Sequence, residues 1–257
     1  MTGEEHAGRT ILALGGSERV SFLQKIVTTD LGRLADGLVY TALLTPQGKY
    51  LADFFLKDDG DRLLVDVATP LAADLAKRLK MYKLRADVTL DETDLHAVRG
   101  LGEPPAGALP DPRHPALGWR RYTAEPGEPP GTDWEALRVA HCIPESGVEL
   151  IPNESFILEA GLDRLNGVDF RKGCFVGQEV VARMKHKTTL RKGLVTVAVS
   201  GAAPPPGTAI MAGEKTAGTL HTVAGDRGIA HLRFDRAGAD MQAGEARVDW
   251  TPAETPG

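Results

Sequence analysis

The stretch RKGCFVGQE, from Arg171 to Glu179, carries one of only two cysteines in 257 residues. Two cations come just ahead of the thiol of Cys174, Gly173 stands directly before it, and Gly177 follows three residues on. If QEVVARMKH is a helix that begins near Val176 or Gly177, the sulfur lies just ahead of the first turn, where unpaired N–H groups favour an anion. Arg171 and Lys172 act in the same direction. These conditions lower a thiol pKa and make a cysteine nucleophilic, oxidisable or metal-binding. The plainer alternative is a small buried residue filling a turn. The flanking glycines weigh against it, since they imply a tight path that leaves N–H groups open to a ligand. On the same helix Glu179 and Arg183 are four apart, the spacing of a surface ion pair, with Val180, Val181 and Met184 turned inward.

Two acids sit in apolar surroundings. In YLADFFL, strand alternation groups Asp53 with Leu51 and Phe55 and sets Tyr50, Ala52, Phe54 and Leu56 on the other face. A carboxylate buried there needs a partner or a raised pKa. Asp53 therefore either meets water near a strand end or faces a cavity where a polar ligand supplies the partner. Glu159 in FILEAGL raises the same question.

The elements that must position these groups are legible in outline. TILAL reads as a strand, and Ser17 is placed to cap the helix ERVSFLQKIV, with Val20, Leu23 and Val27 on one side. YTALL, YLADFFL and RLLVDV read as strands joined by the turns TPQGK and DDGD. Thr69 and Pro70 occupy N-cap and N1 positions for LAADLAKRLKMY, and ADVTL returns as a strand. From Gly102 to Gly131 thirteen of thirty residues are Gly or Pro, which predicts an irregular surface excursion. Beyond Lys192, short strands separated by GAAPPPG, GEK, AGDR and RAGADMQAGE predict a small β-barrel or sandwich, and TPAETPG a frayed tail. The pattern is α+β, divided as 1–94, 95–190 and 191–257.

Bulk properties exclude several classes. No apolar run approaches the ~20 residues of a membrane span, and the acid-bearing opening MTGEEHAGRT is no signal peptide, so a cytoplasmic protein without membrane contact is expected. Cys142 and Cys174 are 32 positions apart with no CxxC, which predicts neither a zinc site nor a disulfide framework. A net charge of −5 with 5% aromatics argues against direct nucleic-acid binding. Between Arg171 and Lys192, however, seven Lys or Arg face one acid, a local charge of +6. That stripe is either a solvated edge or a docking surface for an anionic ligand or partner.

KGCFVGQE is similar to the K-G-C-(Y/F)-x-G-Q-E signature of the YgfZ family of folate-binding proteins, whose mitochondrial relatives assist iron–sulfur cluster assembly. GSERVSFLQKIVTTDLGRL, TPQGKYLADFFL, LEAGL and GLDRLNGVDFRKGCF also resemble segments of YgfZ and of the glycine cleavage T-protein, an aminomethyltransferase. The resemblance runs from about Arg9 to Arg233. It implies a three-part T-protein-like cloverleaf around a central folate cavity, closed by the small C-terminal β-barrel. It also implies a tetrahydrofolate cofactor or derivative. Asp53 falls where the T-protein aspartate meets reduced folate, and Glu159 where its glutamate binds the pteridine. Cys174 becomes the reactive group, with Asp53 beside it if there is catalysis, and Lys172, Gly173, Gln178, Glu179 and Arg183 join the folate-binding set. Two features depart from the T-protein: its longer N-terminal segment has no counterpart before GSERV, and the KGC motif follows YgfZ. Phe175 stands where tyrosine is commoner.

The preferred expectation is a folate-dependent accessory factor without classical turnover, serving the iron–sulfur assembly machinery or its client proteins, including enzymes that modify tRNA. A tetrahydrofolate-dependent one-carbon transferase, which would use Asp53, is one alternative. A redox-sensing thiol protein, which needs only Cys174, is the other.

Overall fold

The computed structural model describes residues 3–187 and 189–252; the expected frayed tail lies, from position 253 on, outside them. Strands β1 (Glu4–Glu5) and β2 (Arg9–Gly15) lead to helix α1 (Arg19–Gln24) and a 3-10 turn at Leu31–Ala35. There follow β3 (Val39–Leu44), β4 (Tyr50–Asp58), β5 (Leu63–Ala68), helix α2 (Thr69–Tyr82), β6 (Thr89–Glu92), β7 (His96–Gly100), β8 (Leu109–Pro110) and β9 (Trp119–Thr123). Helices α3 (Trp134–Ala140) and α4 (Gln178–Lys187) precede six strands: β10 (Lys192–Ser200), β11 (Thr208–Ala212), β12 (Lys215–Ala224), β13 (Arg227–Arg233), β14 (Met241–Ala243) and β15 (Ala246–Asp249).

The chain packs as two compact units that interleave in sequence. Unit 1 holds Met1–Thr132, Pro152–Ile157 and Leu162–Arg183, and unit 2 holds Asp133–Ile151, Leu158–Gly161 and Met184–Gly257.

Unit 1 contains a five-stranded antiparallel sheet, ordered β3-β4-β5-β2-β6, and a four-stranded one, β1-β7-β9-β8. Helix α1 is shorter than the expected ERVSFLQKIV: Leu23 from it, Val27 from the segment after it, and Leu75 and Leu79 from α2 join Leu14, Leu43, Phe54, Leu56 and Val65 in one core. Burial of this kind, at ~25 cal/mol per Å2 of apolar surface, is what holds the layer together. Every residue from Tyr50 to Leu56 is buried, so β4 is covered on both faces and Asp53 has no strand end in water.

Four local expectations differ from the structure. Ser17 does not cap α1; its hydroxyl and amide both donate to Asp87, and the cap position belongs to Glu18. Val20 is 40% exposed, off the core side. The α2 cap falls one residue earlier, at Ala68, which leaves Thr69 and Pro70 in the first turn. The Gly/Pro-rich excursion contains β8 and β9, and β9 lies between β7 and β8. That strand forms because Gly118, at φ 62, turns the chain, while Gly100 opposite leaves room for the Trp119 ring, which a Cβ would meet at 2.4 Å.

A bulge corrects the reading of β4. Leu43 faces Ala52 but Leu44 faces Tyr50, so Leu51 is the extra residue, and an extra residue resets the alternation. Tyr50 therefore shares the face of Asp53.

Unit 2 is a closed barrel, β10-β13-β12-β11-β14-β15, filled by Val197, Ile210, Leu220, Leu232, Met241 and Val248. Closure removes the edges that short strands otherwise expose. Helix α3 is fastened to it by Arg138, which donates to the Thr222 hydroxyl and to Glu149. The content is α+β with a C-terminal barrel, as the sequence predicts.

Candidate functional site

The KGC loop is held on both sides of its thiol. Before it, the Lys172 ammonium donates to the carbonyls of Gln24 and Val27, both at 2.5 Å, at the end of α1. Burial pushes this lysine down to about 8, against the opposing pull of Asp30, Asp169 and Cys174. After it, Phe175 is buried and Val176 packs on the unit 1 core. Gly177, at φ 82, crosses the β3–β4 hairpin so closely that a Cβ would meet the Thr45 carbonyl at 2.6 Å. The hairpin answers with its own glycine: a Cβ on Gly48 would strike Val180 at 2.8 Å. Gly173 is different: at φ 90 with nothing within 4 Å of its missing Cβ, it supplies the backbone path and makes no close packing contact there. Between these anchors Cys174 is exposed. Helix α4 begins at Gln178, two residues later than Val176, so the sulfur stands four residues ahead of the helix. Gln178 is half-buried, and Glu179 and Arg183 are exposed.

Asp53 is 4% exposed and accepts hydrogen bonds from Tyr40 at 3.0 Å and Tyr50 at 2.6 Å. Burial and the Asp53 charge push the Tyr40 phenol well above its ordinary value, which keeps it a donor. Two phenols thus meet the need that a carboxylate in an apolar strand creates. Sequence reasoning missed the layer behind them. Arg120 on β9, 2% exposed, joins Asp66 of β5 at 2.8 Å to Asp111 at 3.1 Å, while Arg9 of β2 binds Asp66 and Arg113 binds Asp111. The three guanidiniums stand 4.0 to 5.7 Å from the ring centre of Phe55. Burial alone would raise Asp111, but Arg113 and Arg120 outweigh it and bring it to about 2. A signal existed in the charges inside LLVDVA and WRRYT, yet the partners of Asp66 lie 54 to 57 positions from it in sequence.

Glu159 lies in unit 2. Its carboxylate pairs with Lys192 at 3.3 Å and His231 at 3.4 Å. Burial raises it, but His231 and Lys192 hold it below the usual carboxylate range. It lines a cavity of about 260 Å3 with Met184, Leu190, Arg191, Lys192 and Arg233, so part of the basic stripe does gather at one place. No group of three or more His, Cys, Asp or Glu suited to a metal occurs among the described residues.

Fold and barrel define the class. The chain has the T-protein fold: it matches the glycine cleavage system aminomethyltransferase T of Bartonella henselae with a TM-score of 0.70, at 12% identity, over 96% of this chain and 85% of that one. Residues 191–256 match the family described as CAF17, C-terminal beta-barrel domain. The sequence homologues are iron–sulfur cluster assembly factors of the IBA57 type. The Mycosarcoma maydis homologue is 31% identical over 77% of this chain and 57% of its own length. The human protein is 27% identical over 95% and 84%, and the mouse protein 28% over 89% and 76%. The chain thus spans a little over half the length of the fungal relatives. These proteins are named mitochondrial in fungi and mammals alike. The cytoplasmic expectation is corrected accordingly: the relatives point to the mitochondrion. Among the described residues no helix is long and apolar enough to cross a membrane.

Proposed function

We propose that this protein is a folate-binding accessory factor for iron–sulfur cluster assembly or repair, acting with the assembly machinery or its clients, tRNA-modifying cluster enzymes among them. The observation that carries the reading is the exposed Cys174 on a loop clamped by Lys172, Phe175 and Gly177. A chain with two cysteines spends close packing and two left-handed glycines on holding one of them outward. The similarity to IBA57 factors, and the YgfZ-like signature around that thiol, supply the pathway. The three-part division at 94 and 190 belongs to the same reading.

The donor set suits a folate. Glu159 offers a carboxylate to paired N–H groups of a pterin edge, Met184 and Leu190 offer apolar surface to a flat ring, and Arg191, Lys192 and Arg233 suit an anionic tail. At about 260 Å3 the cavity matches part of such a molecule, since whole drug-sized ligands occupy ~300 Å3 or more. Asp53 and the motif residues Lys172, Gly173, Gln178, Glu179 and Arg183 keep the folate-binding roles that the resemblance implies. When bound, tetrahydrofolate would supply reduced ring nitrogens able to carry a one-carbon unit.

Calorimetric titration of the purified protein with tetrahydrofolate tests this. Wild type and Cys174→Ser should bind alike, and Glu159→Gln should lose roughly 1 to 3 kcal/mol. Cells that carry Cys174→Ser should lose the activity of cluster enzymes. No folate binding, or normal cluster enzymes without the thiol, would refute the proposal.

One observation favours a second reading, a one-carbon transferase: Asp53 is fixed by two phenols, as a group meant to orient a reacting nitrogen would be. Formation of methylenetetrahydrofolate from an aminomethyl donor, lost in Asp53→Asn, would decide for it.

A further inference from the structure

The C-terminal end of α2 bears a surface that the preceding sections leave unused. From Lys77 to Arg85 five of nine residues are Lys or Arg and none is acidic, in a chain of net charge −5. Arg78 is tied to Asp74 at 2.6 Å, and the Lys83 ammonium to the Val88 carbonyl at 2.7 Å. Lys77, Lys80 and Arg85 are exposed. Beside them opens a groove of about 310 Å3, floored by Leu14, Leu79 and Val88 and walled by Leu90, Lys80 and Lys83. In the same stretch of chain Met81 is 60% exposed and Leu84, next to the groove residue Lys83, is 86% exposed. Leu84 is doubly unfavourable for the fold. It occupies the position just past the helix cap at Lys83, with φ 47, where helices place glycine because other residues are strained. Neither feature is favoured by the fold alone, and backbone strain that persists is a pointer to function.

We propose that this groove docks an acidic segment of a partner protein, one that inserts a large apolar side chain between α2 and β6 and sets carboxylates against Lys77, Lys80 and Arg85. The concave floor fits a protruding side chain, which a bilayer surface does not offer. Strand addition along the β6 edge is disfavoured by the exposed Asp91 and Glu92 on that strand, so the segment lies over the groove. This inference is independent of folate binding and of Cys174.

The test uses the full chain and fluorescein-labelled helical peptides in an anisotropy titration. The probe alternates Glu and Leu at i, i+4 spacing, and the comparators replace Leu by Ala or Glu by Lys. The Glu/Leu peptide should bind roughly tenfold or more tighter than either comparator, and its affinity should fall with salt. Lys80→Glu with Arg85→Glu should weaken it by roughly tenfold and flatten the salt dependence. Leu84→Gly should weaken binding while raising Tm, since it relieves the left-handed backbone and removes only exposed surface. A merely structural leucine would not separate those two readouts. Equal binding of all three peptides, or binding unmoved by both variants, overturns the proposal. So does co-sedimentation with phosphatidylglycerol vesicles without any preference among the peptides, which would give the face to a membrane.

Discussion

The Tyr50 hydroxyl donates to Oδ1 of Asp53 at 2.6 Å, although the two residues are three apart on one strand and simple alternation sets them on opposite faces. The bulge at Leu51 brings them together. Removing that hydroxyl takes one charge-assisted hydrogen bond from a buried carboxylate. Tyr50→Phe should therefore cost about 1 to 3 kcal/mol of unfolding free energy in urea. A midpoint equal to wild type would mean that Asp53 finds another donor at no cost.

The two motif glycines should respond differently. Gly177→Ala sets a Cβ on an already left-handed backbone and 2.6 Å from the Thr45 carbonyl, so it should destabilise unit 1 and expose the loop to proteolysis. Gly173→Ala meets nothing within 4 Å and should show only the backbone cost of ~1 to 2 kcal/mol. Equal sensitivity of the two variants would argue against close packing as the role of Gly177.

Cys174 is exposed and Cys142 is partly covered, so an alkylating agent at pH 7 should label Cys174 first. Lys172→Met, which releases the tether to Gln24 and Val27, should change the Cys174 rate and leave that of Cys142 as it was. Mass-spectrometric rates for the two thiols decide this, and equal rates would contradict it.

Arg120 bridges two buried aspartates. Arg120→Met leaves both partly uncompensated and should cost ~3 to 5 kcal/mol, read as a large drop in the denaturation midpoint. A small effect would mean that Arg9 and Arg113 suffice.

Acid should act on the same layer. Asp111 stands at about 2 when folded, below its ordinary 3.8. A depressed carboxyl stabilises the fold above its unfolded value, and that contribution is lost as pH falls through the folded one. The loss should develop between about pH 4 and pH 2 and amount to about 2 kcal/mol. Asp111→Asn should flatten that limb of the stability profile; an unchanged slope would remove Asp111 as its source.

The sequence alone determined much: the barrel strands, the apolar stripe of α2 and the anomaly of Asp53 are all local patterns of period two or near four, or single residue types out of place. What the tertiary structure decided are the partners. Nothing near Lys172 in sequence announces carbonyls 145 and 148 positions away. Gly177 reads as a ligand-binding glycine until Gly48 is found against it, and Trp119–Thr123 becomes a strand only because β7 lies alongside. The bulge that turns Tyr50 toward Asp53, and the arginines that reach Asp66 from 54 and 57 positions away, follow the same rule. Local propensity reports what a segment prefers, whereas a buried charge or a missing Cβ is explained only by the atoms that the folded chain brings to it.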